Sequence, residues 1–164
     1  MALTHIGGGS ELENLRNLSH KLGLTGKITW KGAQSQKGVF DAYENSDLFI
    51  MPSIIATDGD RDGLPNVLME AASKKVCCIA TDLPGITEFI RHDDTGWIVP
   101  SKNSRELTRS IISLSQDPAK RVRLAESANK LLVRHFSHSE NVQYIIELLK
   151  SDLDTNEDVI QDSI

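Results

Sequence analysis

Residues 76–80 read Val-Cys-Cys-Ile-Ala, five small or branched apolar side chains in a row. An apolar run of this length is typical of a strand at the centre of a parallel sheet, because helices cover both faces of such a sheet. Two more apolar runs, Leu48–Met51 and Trp97–Val99, stop at a proline, which cannot donate a hydrogen bond to a neighbouring strand. We therefore expect these three runs to be strands of one sheet.

The rest of the chain continues this alternation. Residues 3–6 and 28–30 are short strand-like pieces, each followed by glycine within two residues. Between them Ser10 stands three residues before Glu13, as a capping box requires, and leucines recur at helical spacing at positions 12, 15, 18 and 22. Helical patterns also cover 65–74 and 86–91. Such alternation predicts an α/β fold, a Rossmann-like parallel sheet with helices on both faces, whose ligands bind at the carboxyl ends of the strands.

Composition and charge narrow the classes of protein. A chain of 164 residues with a net charge of −5 suits one domain, predicted over residues 1–150, followed by an acidic tail at 151–164. The acidic balance argues against nucleic acid as a partner. No apolar run reaches the roughly 18 residues of a membrane-spanning helix, so no transmembrane segment and a cytoplasmic location are predicted. A disulfide between the adjacent Cys77 and Cys78 would be strained, so free thiols are expected.

The loop before the helical segment 65–74 carries the residues best suited to bind a ligand. Gly63 allows the backbone to approach a ligand closely, and Pro65 suits the first turn of a helix. The free amide groups of that turn would face the loop and favour an anion such as a phosphate. Glu70 lies one to two turns further on, where it would reach a hydroxyl-bearing ligand lying along the helix.

Several short motifs follow this loop in order. Asp62-Gly63-Leu64-Pro65 stands four residues before Glu70-Ala71. The motifs after it are Ile79-Ala80-Thr81-Asp82, Pro84-Gly85-Ile86-Thr87-Glu88 and Gly96-Trp97-Ile98-Val99-Pro100.

This series resembles glycosyltransferase family 4, and more closely the C-terminal, donor-binding domain of that GT-B-fold group, from about residue 6 to residue 136. The family signature is two acidic residues with seven between them, a spacing that Asp62 and Glu70 keep. The resemblance implies transfer of a sugar from a nucleotide-sugar to an acceptor hydroxyl with retained anomeric configuration. It implies no required cofactor or metal. The acceptor, a glycan or lipid-linked sugar, would bind a separate N-terminal domain, in glycan or surface-polysaccharide synthesis at the inner face of the membrane.

The resemblance also implies roles for individual residues. Asp62, the expected catalytic residue, would lie near the donor sugar and the transferring centre, and Glu70 would hold the ribose hydroxyls. Gly8 and Gly9 match the family's glycine turn, and Lys31 matches the turn that borders the base. The expected donor-binding residues are Gly8, Gly9, Lys31, Gly63, Leu64, Pro65, Asn66, Val67 and Glu70.

The chain departs from the family pattern at three positions. Asp62 replaces the usual Glu, which keeps the charge and shortens its reach by one methylene. Lys75 replaces a usual Gly, and Cys77 a usual Pro. A lysine with left-handed backbone at a helix end costs on the order of 1 kcal/mol. These changes concern fold detail more than chemistry.

A larger departure is expected at the start of the chain. In the family the donor domain opens with a strand and helix that carry an Arg and a Lys for the diphosphate. We expect neither here, and hypothesise that the chain is a fragment of a longer enzyme and inactive alone. In the strand order 3-2-1-4-5-6 the absent strand is the central one, so residues 3–6 and 48–51 should each have an unpaired edge.

Other interpretations of these residues remain open. Asp58, Asp60 and Asp62 before Gly63 match the opening of a calcium-binding loop, but position twelve would be Met69 and not an acid. His135 and His138 have no third ligand near them in sequence. A non-catalytic nucleotide- or sugar-binding module, or an unrelated doubly wound protein, would also account for the pattern.

Overall fold

A computed structural model describes residues 1–55 and 63–136. Within these ranges the strands and helices alternate as the sequence predicts, and the chain is an α/β protein with a parallel, Rossmann-like arrangement of strands. The strands are β1 (Leu3–His5), β2 (Ile28–Trp30), β3 (Leu48–Met51), β4 (Cys77–Thr81) and β5 (Trp97–Val99). The helices are α1 (Leu12–Lys21), α2 (Gln36–Glu44), α3 (Asn66–Ser73), α4 (Pro84–Thr87), α5 (Ser104–Gln116) and α6 (Pro118–His135).

The described strands form two parallel sheets. β1 pairs with β2, and β4 lies between β3 and β5. The three apolar runs therefore form one sheet as β3, β4 and β5, as the sequence predicts, and β1 pairs with β2 in a second sheet. Within residues 1–55 and 63–136, β1 and β3 each pair on one side only, as expected for a strand order whose central member is absent.

Strand β4 forms the centre of the packed core, because its side chains alternate between two apolar clusters. Cys78 and Ala80 face the first cluster, which holds buried residues of α2, α3, α4 and α6. Cys77 and Ile79 face the second cluster, with Val99 and buried residues of α5 and α6. Helices thus cover both faces of β4, which explains why its first four residues are all apolar.

Three local predictions need correction. Ser10 does not cap α1: the helix begins at Leu12, Glu11 occupies the cap position, and no side chain caps it. The helix begins later than predicted because the glycine-rich turn extends to Leu12, whose amide donates to the carbonyl of Gly9 at 3.2 Å. Pro65 is the residue before α3 rather than part of its first turn. The helix predicted over 86–91 is the shorter α4, which begins at Pro84.

The prediction of free thiols is confirmed, since Cys77 and Cys78 are free and buried. Lys75 has a φ of 53°, so the turn keeps the left-handed conformation that glycine favours although a lysine occupies it. The predicted tail at 151–164 and His138 lie outside the described residues.

Candidate functional site

The loops that follow β1 and β2 lie side by side. Lys31 donates its amide proton to the carbonyl of His5 at 2.9 Å, and Gly7 donates to the carbonyl of Gly32 at 2.9 Å. Gly9 has a φ of 134°, which only glycine adopts without strain. The predicted residues Gly8, Gly9 and Lys31 are therefore together at the carboxyl end of this sheet, and all three are exposed.

The amino-terminal end of α3 presents backbone amide groups. Pro65 precedes the helix with extended backbone, and neither a capping side chain nor an acidic residue occupies the first turn. The amides of Asn66 and Val67 have no hydrogen-bond acceptor among residues 1–55 and 63–136. By contrast, Ser35, Asn103 and Asp117 each cap the helix that follows them. The first turn of α3 can therefore donate to an anion from elsewhere.

Glu70 lies in the second turn of α3 and is half-buried. Within the described residues its carboxylate makes no hydrogen bond or ion pair. The Glu70 carboxylate lies near the phenol of Tyr43. Desolvation and, next, this carboxylate raise the pKa of Tyr43 above its usual value. Glu70 is thus an available acceptor on the helix that also carries the free amides.

Tyr43 holds α3 in place and was missed as a site residue in the sequence. Its hydroxyl donates to the carbonyl of Val67 at 3.2 Å, and its ring is 6% exposed in the first cluster. The sequence shows only an aromatic residue in a helix with Val39 and Phe40, a pattern that indicates packing. The hydrogen bond crosses 24 residues of sequence, so no local signal could have found it.

The strand ends around this helix are tied together. The hydroxyl of Thr81, at the end of β4, donates to the carbonyl of Ser53 at 2.8 Å. The carboxylate of Asp82 accepts a hydrogen bond from the amide of Ser101 at 2.7 Å, beyond the end of β5. These bonds fix the carboxyl edge of the three-stranded sheet, where α3 begins.

The predicted site residues therefore form two groups in the structure. Gly8, Gly9 and Lys31 form one, and 63–70 form the other; no hydrogen bond or ion pair between described residues joins them. Asp62 lies outside the described residues, as do Asp58 and Asp60, so its catalytic role stays a prediction.

Two further searches concern only the described part of the chain. Residues 1–55 and 63–136 contain no group of three His, Cys, Asp or Glu side chains that could hold a metal ion. None of the helices in those ranges has the length and apolarity needed to cross a membrane.

A family model described as "Glycosyl transferases group 1" matches residues 2–131. This chain belongs to that family. The match spans both sheets and nearly all of α6, so it covers both groups of predicted site residues.

Curated relatives of this family member are bacterial proteins named as glycosyltransferases or mannosyltransferases. The amylovoran biosynthesis glycosyltransferase AmsK of Erwinia amylovora is 29% identical over 73% of this chain and 29% of its own length. The GDP-mannose-dependent alpha-(1-6)-phosphatidylinositol monomannoside mannosyltransferase of Mycobacterium tuberculosis is 26% identical over 92% of this chain and 40% of its own length. The chain thus spans well under half the length of these relatives.

Solved structures confirm the fold of this glycosyltransferase family member. HepE from Anabaena, in complex with UDP-glucose, superposes with a TM-score of 0.79 and 21% identity. The superposition covers 92% of this chain and 41% of HepE. At this identity the comparison shows the fold alone, which is part of a GT-B fold.

Proposed function

We propose that this chain is the donor-binding part of a retaining glycosyltransferase that moves a hexosyl or related sugar from a nucleotide-sugar to an acceptor hydroxyl. The bond between the anomeric carbon and the diphosphate oxygen breaks, and a bond to the acceptor oxygen forms with the same configuration. The nucleoside diphosphate leaves, and the proton of the acceptor hydroxyl passes to its departing phosphate oxygen. No metal or other cofactor takes part in the proposed reaction.

One observation carries the proposal: the first turn of α3, which no described side chain caps, lies at the carboxyl edge of a parallel sheet, in a chain that matches the family over residues 2–131. Free amides at a helix start, with the helix dipole behind them, favour phosphate and sugar oxygens. Parallel sheets bind their ligands at this edge. The UDP-glucose complex of HepE and the GDP-mannose in the name of the mycobacterial relative support a nucleotide-sugar as the ligand.

Each part of the donor then has a proposed contact. The amides from Gly63 to Val67 receive sugar and phosphate oxygens, and Glu70 accepts hydrogen bonds from the ribose hydroxyls. Gly8 and Gly9 allow the backbone to approach the donor, and Lys31 borders the base. Asp62 orients the donor sugar at the transferring centre. The protein's part is positioning and stabilisation of the leaving charge.

The acceptor and the cellular setting belong to the same proposal. AmsK supports a role in polysaccharide synthesis. The acceptor would be a glycan or lipid-linked sugar held by another domain of a longer protein, and the 164 residues alone would be inactive. We place the reaction in the cytoplasm, at the inner face of the membrane where the acceptor is lipid-linked.

Calorimetric titration of the full-length gene product with UDP-glucose and GDP-mannose tests the donor site. Glu70→Ala is expected to weaken binding of the accepted donor about 10- to 100-fold, the loss of one or two hydrogen bonds to a charged group. Glu126→Ala, on the exposed face of α6, removes a helix glutamate outside the site and is the matched control.

The outcomes separate the candidate functions. Equal donor affinity in Glu70→Ala and Glu126→Ala would contradict the role of Glu70. Donor binding without sugar transfer to any supplied glycan, and without donor hydrolysis, would favour a non-catalytic binding module. Asp62→Asn is expected to reduce turnover more than donor affinity, and equal turnover in this variant and the unaltered protein would remove Asp62 from the catalytic role.

A further inference from the structure

Two glycines on different loops meet at the carboxyl end of the three-stranded sheet. Gly85 is the second residue of α4, and Gly63 stands three residues before α3. A Cβ placed on Gly85 would lie 2.9 Å from the Cα of Gly63, and nearer still to its carbonyl carbon and oxygen. Since real Cβ atoms do not approach backbone this closely, any side chain at position 85 must displace one of the two segments.

The contact works in one direction only. A Cβ on Gly63 would meet no atom of the described residues within 4 Å, so the Gly63 backbone faces Gly85 while its own Cβ points away from that contact. Gly85 is not needed for an unusual φ, because its backbone is outside the left-handed region. Alanine has a higher helix propensity than glycine, so without this contact Gly85→Ala would stabilise α4. The requirement for glycine is therefore steric.

The α4 side of the contact is held firmly. Ile86 is fully buried, as are Phe89 and Ile90 just after the helix, and Leu83 is 3% exposed. The amides of Ile86 and Thr87 both donate to the carbonyl of Leu83 at 3.0 Å. Gly63, in contrast, is exposed and lies at the edge of the described loop. Steric pressure between the two segments would therefore move Gly63 and leave α4 in place.

We propose that Gly85 is a positioning residue for the donor loop: its lack of a side chain sets the place of the Gly63 backbone, and with it the amides that lead into α3. The inference rests on the proposed function, which assigns the amides from Gly63 to Val67 to the donor. Leu64, the next residue, packs against the first cluster, so the backbone that follows Gly63 is anchored in the core. A ligand would meet amides whose positions are fixed before binding, which lowers the entropy lost on binding.

The test compares two glycine variants in the full-length gene product. Gly85→Ala introduces the clash with Gly63. Gly96→Ala is the matched control, because its Cβ would lie 2.8 Å from Cγ2 of Ile90 and 3.0 Å from the carbonyl oxygen of Cys78, inside the core and away from the loop. Both variants are overpacked, so both should unfold at a lower temperature than the unaltered protein.

Only Gly85→Ala should affect the donor loop. We expect it to raise the Kd for UDP-glucose or GDP-mannose, whichever binds, by about tenfold, the effect of misplacing one amide that donates to a charged group. In spectra of glycine-labelled protein the Gly63 amide signal should move in Gly85→Ala and stay in Gly96→Ala. In the unaltered protein, nuclear Overhauser contacts should join the α protons of Gly63 and Gly85, a measurement that needs no variant.

Each result decides a different point. Absence of the contact between the α protons, or an unmoved Gly63 signal and an unchanged Kd in Gly85→Ala, overturns the inference. Equal weakening of donor binding in both variants also overturns it, because the effect is then general overpacking. If the Gly63 signal moves but the unaltered protein binds neither nucleotide-sugar, the proposed function fails while the positioning of Gly63 by Gly85 stands.

Discussion

The two sheets of this chain differ in how far their side chains are covered. In the amino-terminal unit, residues 1–32 with β1, α1 and β2, no residue is buried. In the carboxyl-terminal body, residues 36–55 and 63–136, all five residues of β4 are buried between two apolar clusters. Both sheets are parallel and well paired, so hydrogen bonding between strands does not by itself produce a core.

The difference is clearest in the amphipathic pattern of α1. Leu15 and Leu18 of α1 and Leu22, the residue just after it, are 44%, 50% and 63% exposed, although their spacing gives the helix an apolar face. Full burial of a leucine contributes about 1.5–3 kcal/mol, and these three leave much of that unrealised within the described contacts. We conclude that the carboxyl-terminal body supplies most of the stability of the described chain.

Leucine truncation in each region gives the largest expected contrast. Leu124 of α6 is fully buried in the second cluster, and Leu18 of α1 is half exposed. We expect Leu124→Ala to lower the free energy of unfolding by about 2–5 kcal/mol, through lost burial and a residual cavity. Leu18→Ala should cost less than about 1 kcal/mol, because alanine also favours the helix. Urea unfolding of the 164-residue chain measures both, and equal losses would break the comparison.

Alkaline pH should weaken the carboxyl-terminal body, because its buried acidic groups are held in their neutral forms. Burial raises the pKa of Cys77 to about 11, and it raises the pKa values of Cys78 and Tyr43 above their usual range. A raised folded-state pKa contributes stability that is complete below the unfolded pKa, about 8.5 for a thiol, and is lost as pH rises toward the folded value. We expect the free energy of unfolding to fall between about pH 9 and pH 11, by up to about 1.4 kcal/mol per pH unit for each thiol.

The matched variant removes both thiols. Cys77→Ala with Cys78→Ala should be less stable at pH 8, because two small cavities form, but should lose stability more slowly from pH 9 upward. Urea unfolding at several pH values measures the two slopes. Identical slopes would show that the alkaline loss comes from other groups.

Short-range sequence patterns predicted most of the fold. The strands fell where apolar runs meet proline or glycine, because period and breaker are local properties of the chain. The predicted cap at Ser10 was wrong. The Ser-x-x-Glu pattern identifies residues that are able to cap a helix, but the position of the first helical residue depends on the turn before it. The absence of pairing between β1 and β3 agrees with the predicted strand order, in which a central strand lies between them.

The candidate site was predictable only in part. Gly63, Pro65 and Glu70 could be found because their spacing on a loop and a helix has a local physical meaning. The supporting contacts could not be predicted, because Tyr43 contacts Val67 and Gly85 contacts Gly63 only in the folded chain. The pairing of β1 with β2, which brings Lys31 beside the glycine turn, agrees with the strand order 3-2-1-4-5-6.

The smallest expected effect concerns two helix ends that share one geometry. After α1, Gly23 and Leu24 donate to His20 and Ser19 at 3.0 and 2.9 Å. After α3, Lys75 and Val76 donate to Ala72 and Ala71, both at 3.0 Å. Both are Schellman motifs with a left-handed residue, Gly23 at φ 67° and Lys75 at φ 53°. The loosely packed unit thus has the favoured residue, and the packed body has a strained one.

Exchanging the residue types tests whether core packing holds Lys75 in this conformation. Lys75→Gly should raise the free energy of unfolding by about 0.5–1 kcal/mol, the left-handed strain removed less the added freedom of the unfolded chain. Gly23→Ala should lower it by about 1 kcal/mol, from backbone strain alone, because a Cβ there meets no atom within 4 Å. Lys75→Ala, which keeps the strain, is the control and should change little. If Lys75→Gly is no more stable than Lys75→Ala, the left-handed backbone at position 75 carries no strain that glycine relieves, and the motif needs no glycine once Val76 is buried after it.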